Sequence, residues 1–147
     1  MENKTLPRFS KCFVCGNENK IGINTEFHSD GEEVYTEVTF NQDYVGYDNV
    51  VHGGVISALL DETAMWACYV KTGKLFFTIE LNIRFKRKLS PNIKTNVTGK
   101  LIQLKKSYAV SESKLMDNRG NVYAVATGKY FPVPDDEMKT MWDYLEK

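Results

Sequence analysis

The chain has 147 residues, a length that suits one domain with a buried core. Lysine plus arginine and aspartate plus glutamate both number 19, so no bulk charge favours nucleic acid or an anionic membrane. Asp61 and Glu62 interrupt the only apolar segment that approaches the length of a membrane span, and the charged N-terminus does not resemble a secretory leader. Three cysteines fit a reducing compartment better than a disulfide framework, so we expect a cytoplasmic protein.

The predicted elements begin after an irregular lead over residues 1–21. A first strand is expected over residues 23–28 and a second over residues 34–40, where apolar and polar side chains alternate. A loop then leads into one long helix over about residues 54–71, which Gly73 helps to end. This helix is apolar almost all round, so other elements must cover it.

Four more strands are expected, over residues 77–86, 93–104, 108–116 and 122–133. Alternation in the first of them predicts four inward-facing side chains, namely Ile79, Leu81, Ile83 and Phe85. A terminal helix over residues 135–147 follows. Short turns join antiparallel neighbours, and the helix needs a covering sheet. The sequence therefore predicts a single α+β domain over residues 1–147, an antiparallel sheet wrapped around a central helix, with open edges that favour dimerisation.

The long helix has an unusual polar pattern. It opens with His52, Gly53 and Gly54 and carries Asp61 and Glu62 in its apolar middle. Buried carboxylates are costly unless compensated, so they indicate either structure or chemistry. Amides at a helix start are unpaired and partly positive, and glycine allows a substrate to approach them. Successive helical residues point about 100° apart, so one small site takes only one of the two acids, and we favour Asp61.

The string "GYDNVVHGGVISALLDETAMWA", led by "CFVCGNENKIG", resembles hotdog-fold acyl-CoA thioesterases of the PaaI-like and 4-hydroxybenzoyl-CoA thioesterase-like branch. In these proteins an acid lies nine positions beyond the histidine, as it does here. The similarity covers about residues 12–132. It implies the hotdog fold, hydrolysis of an acyl-CoA thioester at an interface between copies, and a homodimer or a homotetramer built as a dimer of dimers.

The resemblance also implies roles for single residues. Asp61 would be the catalytic carboxylate, acting as general base or as nucleophile. The amide of Gly53 or Gly54 would polarise the thioester carbonyl. Thr78 would reach in from the partner subunit. Some relatives carry an asparagine six residues before the histidine, where this chain has Gly46, which leaves the water-positioning role unassigned.

Six further residues are candidates for contact with the substrate. They are His52, Glu62, Ser57, Asn49, Arg84 and Lys86. His52 is equally well explained as a local cap of the helix. Glu62 is favoured as a structural residue or as a support for the reactive one. The basic run from Arg84 onward either binds coenzyme A phosphates or is a solvated strand end.

Cys12 and Cys15 form a lone Cys-x-x-Cys motif. A closed zinc site needs four ligands, and the remaining soft candidates are His28, His52 and Cys68. A redox motif would lie between a strand and a helix, which the predicted elements do not provide here. We therefore expect a packed turn, no metal and no cofactor, with coenzyme A entering only as part of the substrate.

The leading interpretation is an acyl-CoA thioesterase that binds neither nucleic acid nor membrane. The alternative is a non-catalytic module of the same fold that binds acyl-CoA or lipid, because fold alone does not imply activity. A hydratase or dehydratase is less favoured, since His52 lacks the proline-rich surroundings of the hotdog dehydratases. A DNA-binding regulator is less favoured still, because no helix-turn-helix segment precedes the domain.

Overall fold

The computed structural model describes residues 3–146. Its strands are β1 (Lys4–Thr5), β2 (Arg8–Phe9), β3 (His28–Ser29), β4 (Val34–Thr39), β5 (Phe76–Phe85), β6 (Lys94–Leu104), β7 (Ala109–Asp117), β8 (Val122–Pro132) and β9 (Leu145–Glu146). Its helices are α1 (Gly53–Thr72), α2 (Asp135–Trp142) and a 3₁₀ turn over Gln42–Tyr44. Within residues 3–146, neither α-helix combines the length and hydropathy that crossing a bilayer requires.

Seven strands form one antiparallel sheet in the order β1-β3-β4-β6-β7-β8-β5. The sheet wraps around α1, which packs against the five strands from β4 to β8. This is the hotdog arrangement, and it confirms the predicted fold. Strand β5 is the long edge of the sheet, because β8 is its one strand neighbour among the described residues.

The curved sheet encloses helix α1, and this burial accounts for apolar side chains on nearly all sides of the helix. Leu59 and Leu60, which point about 100° apart, are both fully buried, and so is Trp66 two turns beyond Leu59. Gly99 lets strand β6 approach helix α1 closely, since a Cβ at this position would lie 2.7 Å from the Thr63 carbonyl oxygen. The core therefore requires glycine at this point of contact.

The helix ends match the sequence prediction closely. His52 is the N-cap of α1, and Gly73 ends the helix in the left-handed conformation at φ 70°, donating its N–H to the Tyr69 carbonyl. The terminal helix is shorter than expected, because it stops at Trp142 and the chain then pairs with β2. Burial of Leu145 accompanies that pairing.

The strand predicted over residues 23–28 is wrong, because only His28–Ser29 joins the sheet there. The backbone before it pairs with the lead instead. The Ile23 N–H donates to the Phe13 carbonyl at 2.8 Å, and the Thr25 N–H donates to the Val14 carbonyl at 3.0 Å. The lead thus takes hydrogen bonds that the sequence pattern assigned to the sheet.

The predicted inward face of β5 is correct only in part. Leu81 and Ile83 are half-buried, but Ile79 is 48% exposed and Phe85 is 51% exposed. Phe85 ends the strand with its ring beside Gly53 at the start of α1. The exposure of Ile79 has another cause, a register shift against β8 between Thr78 and Glu80 that inserts one unpaired residue at Ile79. Such a bulge reverses the alternation of side chains on either side of it.

Candidate active site

A groove of about 1050 Å³ opens at the start of α1. The helix contributes Gly53, Gly54 and Ser57, and His52 precedes them at the rim. The segment that follows β5 forms the opposite wall, with the basic side chains Lys86, Arg87 and Lys88. The groove therefore joins a helix N-terminus to a positively charged wall.

The hydrogen bond to His52 occupies one amide at the start of α1 and leaves another amide free to bind a ligand. Its Nδ1 accepts the Gly54 N–H at 2.8 Å, which confirms the capping interpretation of this residue. The Gly53 N–H has no acceptor among residues 3–146. A Cβ on Gly46 would lie 3.1 Å from the His52 ring, so glycine there makes room for the cap. Gly53 is thus the free donor beside the groove.

The carboxylate of Asp61 is held by two hydroxyl groups. Its Oδ1 accepts hydrogen bonds from Thr78 Oγ1 at 2.8 Å and from the Tyr130 hydroxyl at 3.1 Å. Tyr130 is fully buried, and burial together with the nearby charge of Asp61 raises the pKa of its phenol well above the usual value. The phenol therefore stays protonated and serves as a donor. The resemblance implied Thr78 from a partner subunit, whereas here it contacts Asp61 of its own chain.

Two features of the strands create this arrangement. The bulge at Ile79 lets Thr78 face the helix while Leu81 also faces inward. On β8, Gly128 lies on the same buried face as Tyr130, and a Cβ there would approach the Tyr130 ring to 2.5 Å. Glycine at this position therefore leaves the space that the ring occupies.

The free amide and the carboxylate lie far apart within one chain. Gly53 and Asp61 are separated by eight positions on α1, which corresponds to about 12 Å along the helix axis. One thioester carbonyl cannot contact both groups of the same chain. A single copy of the chain therefore does not bring the Gly53 amide and the Asp61 carboxylate together.

The other candidate residues are distributed over several places. Ser57 Oγ donates to the Gly53 carbonyl at 2.7 Å and lines the groove, as does Lys86. Asn49 is exposed in the left-handed conformation at φ 60°, and Arg84 is exposed on β5. Neither of these two is among the residues that line the groove.

Glu62 points away from the groove toward the N-terminal lead. Its Oε1 accepts from Cys12 Sγ at 3.0 Å and from Cys15 Sγ at 3.7 Å. Burial raises the pKa of the Glu62 carboxyl well above its usual range. Glu62, a candidate for substrate contact, is therefore not among the residues that line the groove, and its carboxyl lies against the two cysteines.

Tyr130 is the residue that sequence reasoning missed. The alternation of β8 carried a signal, because Ala124, Ala126, Gly128 and Tyr130 share its inward face. A lone polar-tipped residue on a face of small side chains indicates a buried hydroxyl that needs a partner. The sequence did not reveal that Asp61 is that partner.

A family model for the thioesterase superfamily matches residues 48–124, just over half of the chain. The match includes the helix with its glycines and Asp61 and extends to the first residues of β8. No protein with a curated description matches the chain.

Solved structures give the same fold. A crystal structure of a thioesterase superfamily protein is 27% identical over 83% of this chain and 60% of its own, with a TM-score of 0.75. The chain thus spans less than two thirds of that relative. The PaaI protein of the Escherichia coli phenylacetic acid degradation operon is 17% identical over 76% of this chain and 80% of its own, with a TM-score of 0.69. A Streptococcus mutans UA159 protein bound to acetyl CoA is 18% identical over 75% of this chain and 89% of its own, also at 0.69.

Proposed function

The chain belongs to the thioesterase superfamily, and we propose that it hydrolyses an acyl-CoA thioester to a free acid and coenzyme A. The observation that carries this proposal is the Asp61 carboxylate, held by Thr78 and Tyr130 on a helix whose first amide is free. The Streptococcus mutans relative with bound acetyl CoA supports acyl-CoA as the ligand class. The basic side chains of Lys86, Arg87 and Lys88 beside the groove suit the phosphates of coenzyme A.

The active site is completed by a second copy of the chain. Gly53 and Asp61 are too far apart within one copy to act on the same carbonyl. Strand β5 is a ten-residue edge with exposed Phe77 and Ile79, a surface suited to pairing with another strand. Pairing of two β5 edges brings the Asp61 side of one copy toward the groove of the other. A homodimer is therefore the minimal active unit, and a tetramer is a dimer of such dimers.

The reaction then divides between the two copies. The Gly53 N–H of one copy donates to the carbonyl oxygen and stabilises its developing negative charge, an effect of about 3 kcal/mol per donor. Asp61 of the other copy takes a proton from water as it attacks the carbonyl carbon. The carbon–sulfur bond breaks, and the proton passes to the leaving thiolate. Alternatively, Asp61 attacks directly and water hydrolyses the resulting anhydride.

The test is release of free thiol from a panel of short-chain, medium-chain, long-chain and aryl acyl-CoAs. Wild type is compared with Asp61→Asn, which keeps the shape of the side chain, and with Asp136→Asn, which removes an exposed acid of α2 as a matched control. The signal from the three cysteines of the protein is measured without substrate and subtracted in the thiol assay. We expect turnover by wild type and Asp136→Asn, and its loss in Asp61→Asn.

Two results would overturn the proposal. Turnover that survives in Asp61→Asn removes Asp61 from the chemistry. Thermal stabilisation by an acyl-CoA that stays intact identifies the protein as a binding module. For an active enzyme, single turnover in ¹⁸O-labelled water tests the nucleophile role, because label in the Asp61 carboxyl can arise only when water attacks the Asp61 carbonyl of the anhydride.

A further inference from the structure

A second cluster of reactive side chains lies apart from Asp61 and the groove. The sulfurs of Cys12 and Cys15 and a carboxylate oxygen of Glu62 lie within 4.8 Å of one another. Both cysteines are free thiols, with Cys15 buried and Cys12 half-buried. The cluster joins the N-terminal lead to the middle of α1. The proposed thioester chemistry uses none of these three groups.

The lead is folded as a tight turn around the first sulfur. The Gly16 N–H donates to the Cys12 carbonyl at 2.9 Å, and the Val14 N–H donates to Cys12 Sγ at 3.4 Å. A Cβ on Gly16 would lie 2.5 Å from the Cys12 carbonyl oxygen, so the turn requires glycine there. An N–H directed at sulfur stabilises a thiolate, which is the form that binds metals.

Glu62 is incompletely satisfied by its protein neighbours. Its Oε2 is fully buried and has no hydrogen-bond partner among the described residues, while Oε1 contacts only the two thiols. A buried carboxyl oxygen without a partner is costly, whereas the Asp61 carboxylate one position earlier has two hydroxyl donors. A cation bound between the carboxylate and the two sulfurs would compensate the energetic cost of this buried, unpartnered oxygen.

We propose that Cys12, Cys15 and Glu62 bind one zinc ion, with solvent as the fourth ligand. Two thiolates and a carboxylate suit a borderline-soft dication with a tetrahedral preference. Zinc–ligand distances of about 2.3 Å for sulfur and 2.1 Å for oxygen imply sulfur–oxygen separations of about 3.6 Å. The observed separations of 3.0 and 3.7 Å require only small adjustments. The Cys-x-x-Cys spacing by itself predicts no metal, because its third ligand, Glu62, lies 47 positions beyond Cys15 in the sequence.

Binding releases the protons of the two thiols and of the Glu62 carboxyl, and it fixes the lead against α1. The proposed thioesterase activity does not use this site, because the Glu62 side chain points about 100° around the helix from that of Asp61. Three protein ligands hold the ion, which leaves one position open. We therefore expect the ion to stabilise the folded chain whether or not the protein hydrolyses thioesters.

The test uses the full untagged chain, reduced and stripped of metal by a chelator. Zn²⁺ is titrated with calorimetry and thermal unfolding as readouts, and Co²⁺ is titrated with absorption spectroscopy. The variants are Cys12→Ser, Cys15→Ser and Glu62→Gln. Cys68→Ala is the matched control, because Cys68 is a buried free cysteine outside the cluster. Circular dichroism confirms that each variant is folded.

We expect wild type and Cys68→Ala to bind one equivalent of Zn²⁺ and to unfold at a higher temperature with it. Co²⁺ should give thiolate charge-transfer absorption together with the intense visible bands of a tetrahedral site. Each cysteine variant should lose these signals, and Glu62→Gln should bind more weakly. Failure of reduced wild type to bind one equivalent overturns the proposal, as does full binding by Cys12→Ser. If a cysteine variant does not fold, thiol labelling of Cys68→Ala decides, because only Cys12 and Cys15 remain: Zn²⁺ must slow the labelling of the half-buried Cys12, and unchanged labelling overturns the proposal.

Discussion

Asp61 and Glu62 are adjacent in sequence, yet their carboxyl groups have opposite surroundings. Asp61 Oδ1 accepts from Thr78 Oγ1 at 2.8 Å, whereas Glu62 Oε1 accepts from Cys12 Sγ at 3.0 Å. The turn of about 100° between neighbouring helical residues sends one acid toward the sheet and the other toward the lead. Two hydroxyl groups donate to Asp61 Oδ1, while burial favours the neutral form of Glu62. One helix thus presents two adjacent acids to two different surroundings.

The hydroxyl donors to Asp61 are expected to matter for turnover. Thr78→Val and Tyr130→Phe each remove one hydrogen bond to a charged group, worth about 1.5–3 kcal/mol, so kcat should fall by about 10- to 100-fold. The exposed Thr127 on β8 provides the control Thr127→Val. Steady-state kinetics on the preferred acyl-CoA measure the effect. If both variants keep the wild-type kcat while Asp61→Asn is inactive, the two donors do not position the carboxylate.

The exposed edge strand is expected to hold the dimer. Ile79→Lys places a charge on β5, where a second copy is proposed to pair, and should convert the protein to a monomer. Ile102→Lys is the matched control, because Ile79 is 48% exposed and Ile102 is 51% exposed, but β6 is an interior strand of the sheet. Analytical ultracentrifugation measures the oligomeric state. Dissociation by Ile102→Lys alone would place the interface elsewhere.

The sequence was sufficient for features set by local pattern. Gly73 and the apolar run before it fixed the end of α1, and the order of strands around one apolar helix implied the wrapped sheet. The interpretation of His52 as a cap agrees with its hydrogen bond from the Gly54 N–H, because helix caps are local. These predictions needed only neighbours along the chain.

Features that depend on distant contacts were not predictable in this way. No clear sequence signal predicts the bulge at Ile79. Because of this bulge, the Thr78 side chain points toward α1 instead of away from it. The contact of Tyr130 with Asp61 joins residues 69 positions apart. The contact of Cys12 with Glu62 spans 50 positions, so the motif suggested only a packed turn. The segment from residue 23 to 27 forms backbone hydrogen bonds with the lead, whereas local alternation predicts that it pairs with the sheet.

The cap at the start of α1 is expected to stabilise the whole domain. His52→Ala removes the acceptor of the Gly54 N–H and should lower the free energy of unfolding by about 0.5–2 kcal/mol. His52→Asn supplies a side-chain oxygen that can accept the same bond and should recover most of the loss. Urea unfolding followed by circular dichroism measures both. Equal stability of His52→Ala and wild type would show that the cap contributes nothing.

The contact between Gly99 and helix α1 is expected to tolerate no side chain. A Cβ at this position would lie 2.7 Å from the Thr63 carbonyl oxygen, so Gly99→Ala must displace the helix or the strand. The expected cost is about 1–3 kcal/mol of unfolding free energy. Lys100→Ala, at the next and exposed position of β6, controls for substitution in this strand. A Gly99→Ala variant as stable as Lys100→Ala would contradict the close approach.

Asp117, at the turn between β7 and β8, is expected to give the protein part of its sensitivity to acid. Hydrogen bonds, first from the Asn121 side chain and then from the Tyr123 hydroxyl, lower the pKa of Asp117 to about 2. A folded pKa below the ordinary value of 3.8 means that the stabilisation is complete above that value and is lost as the pH falls toward 2.

Asp117→Asn tests this dependence, because it removes the titrating group and keeps its shape. At neutral pH the variant should melt below wild type, and the difference should shrink between about pH 4 and pH 2 as Asp117 protonates. Thermal unfolding at a series of pH values measures the difference. Asp136→Asn, on exposed α2, should show no such convergence. A difference between Asp117→Asn and wild type that stays constant with pH would mean that these hydrogen bonds do not favour the charged carboxylate.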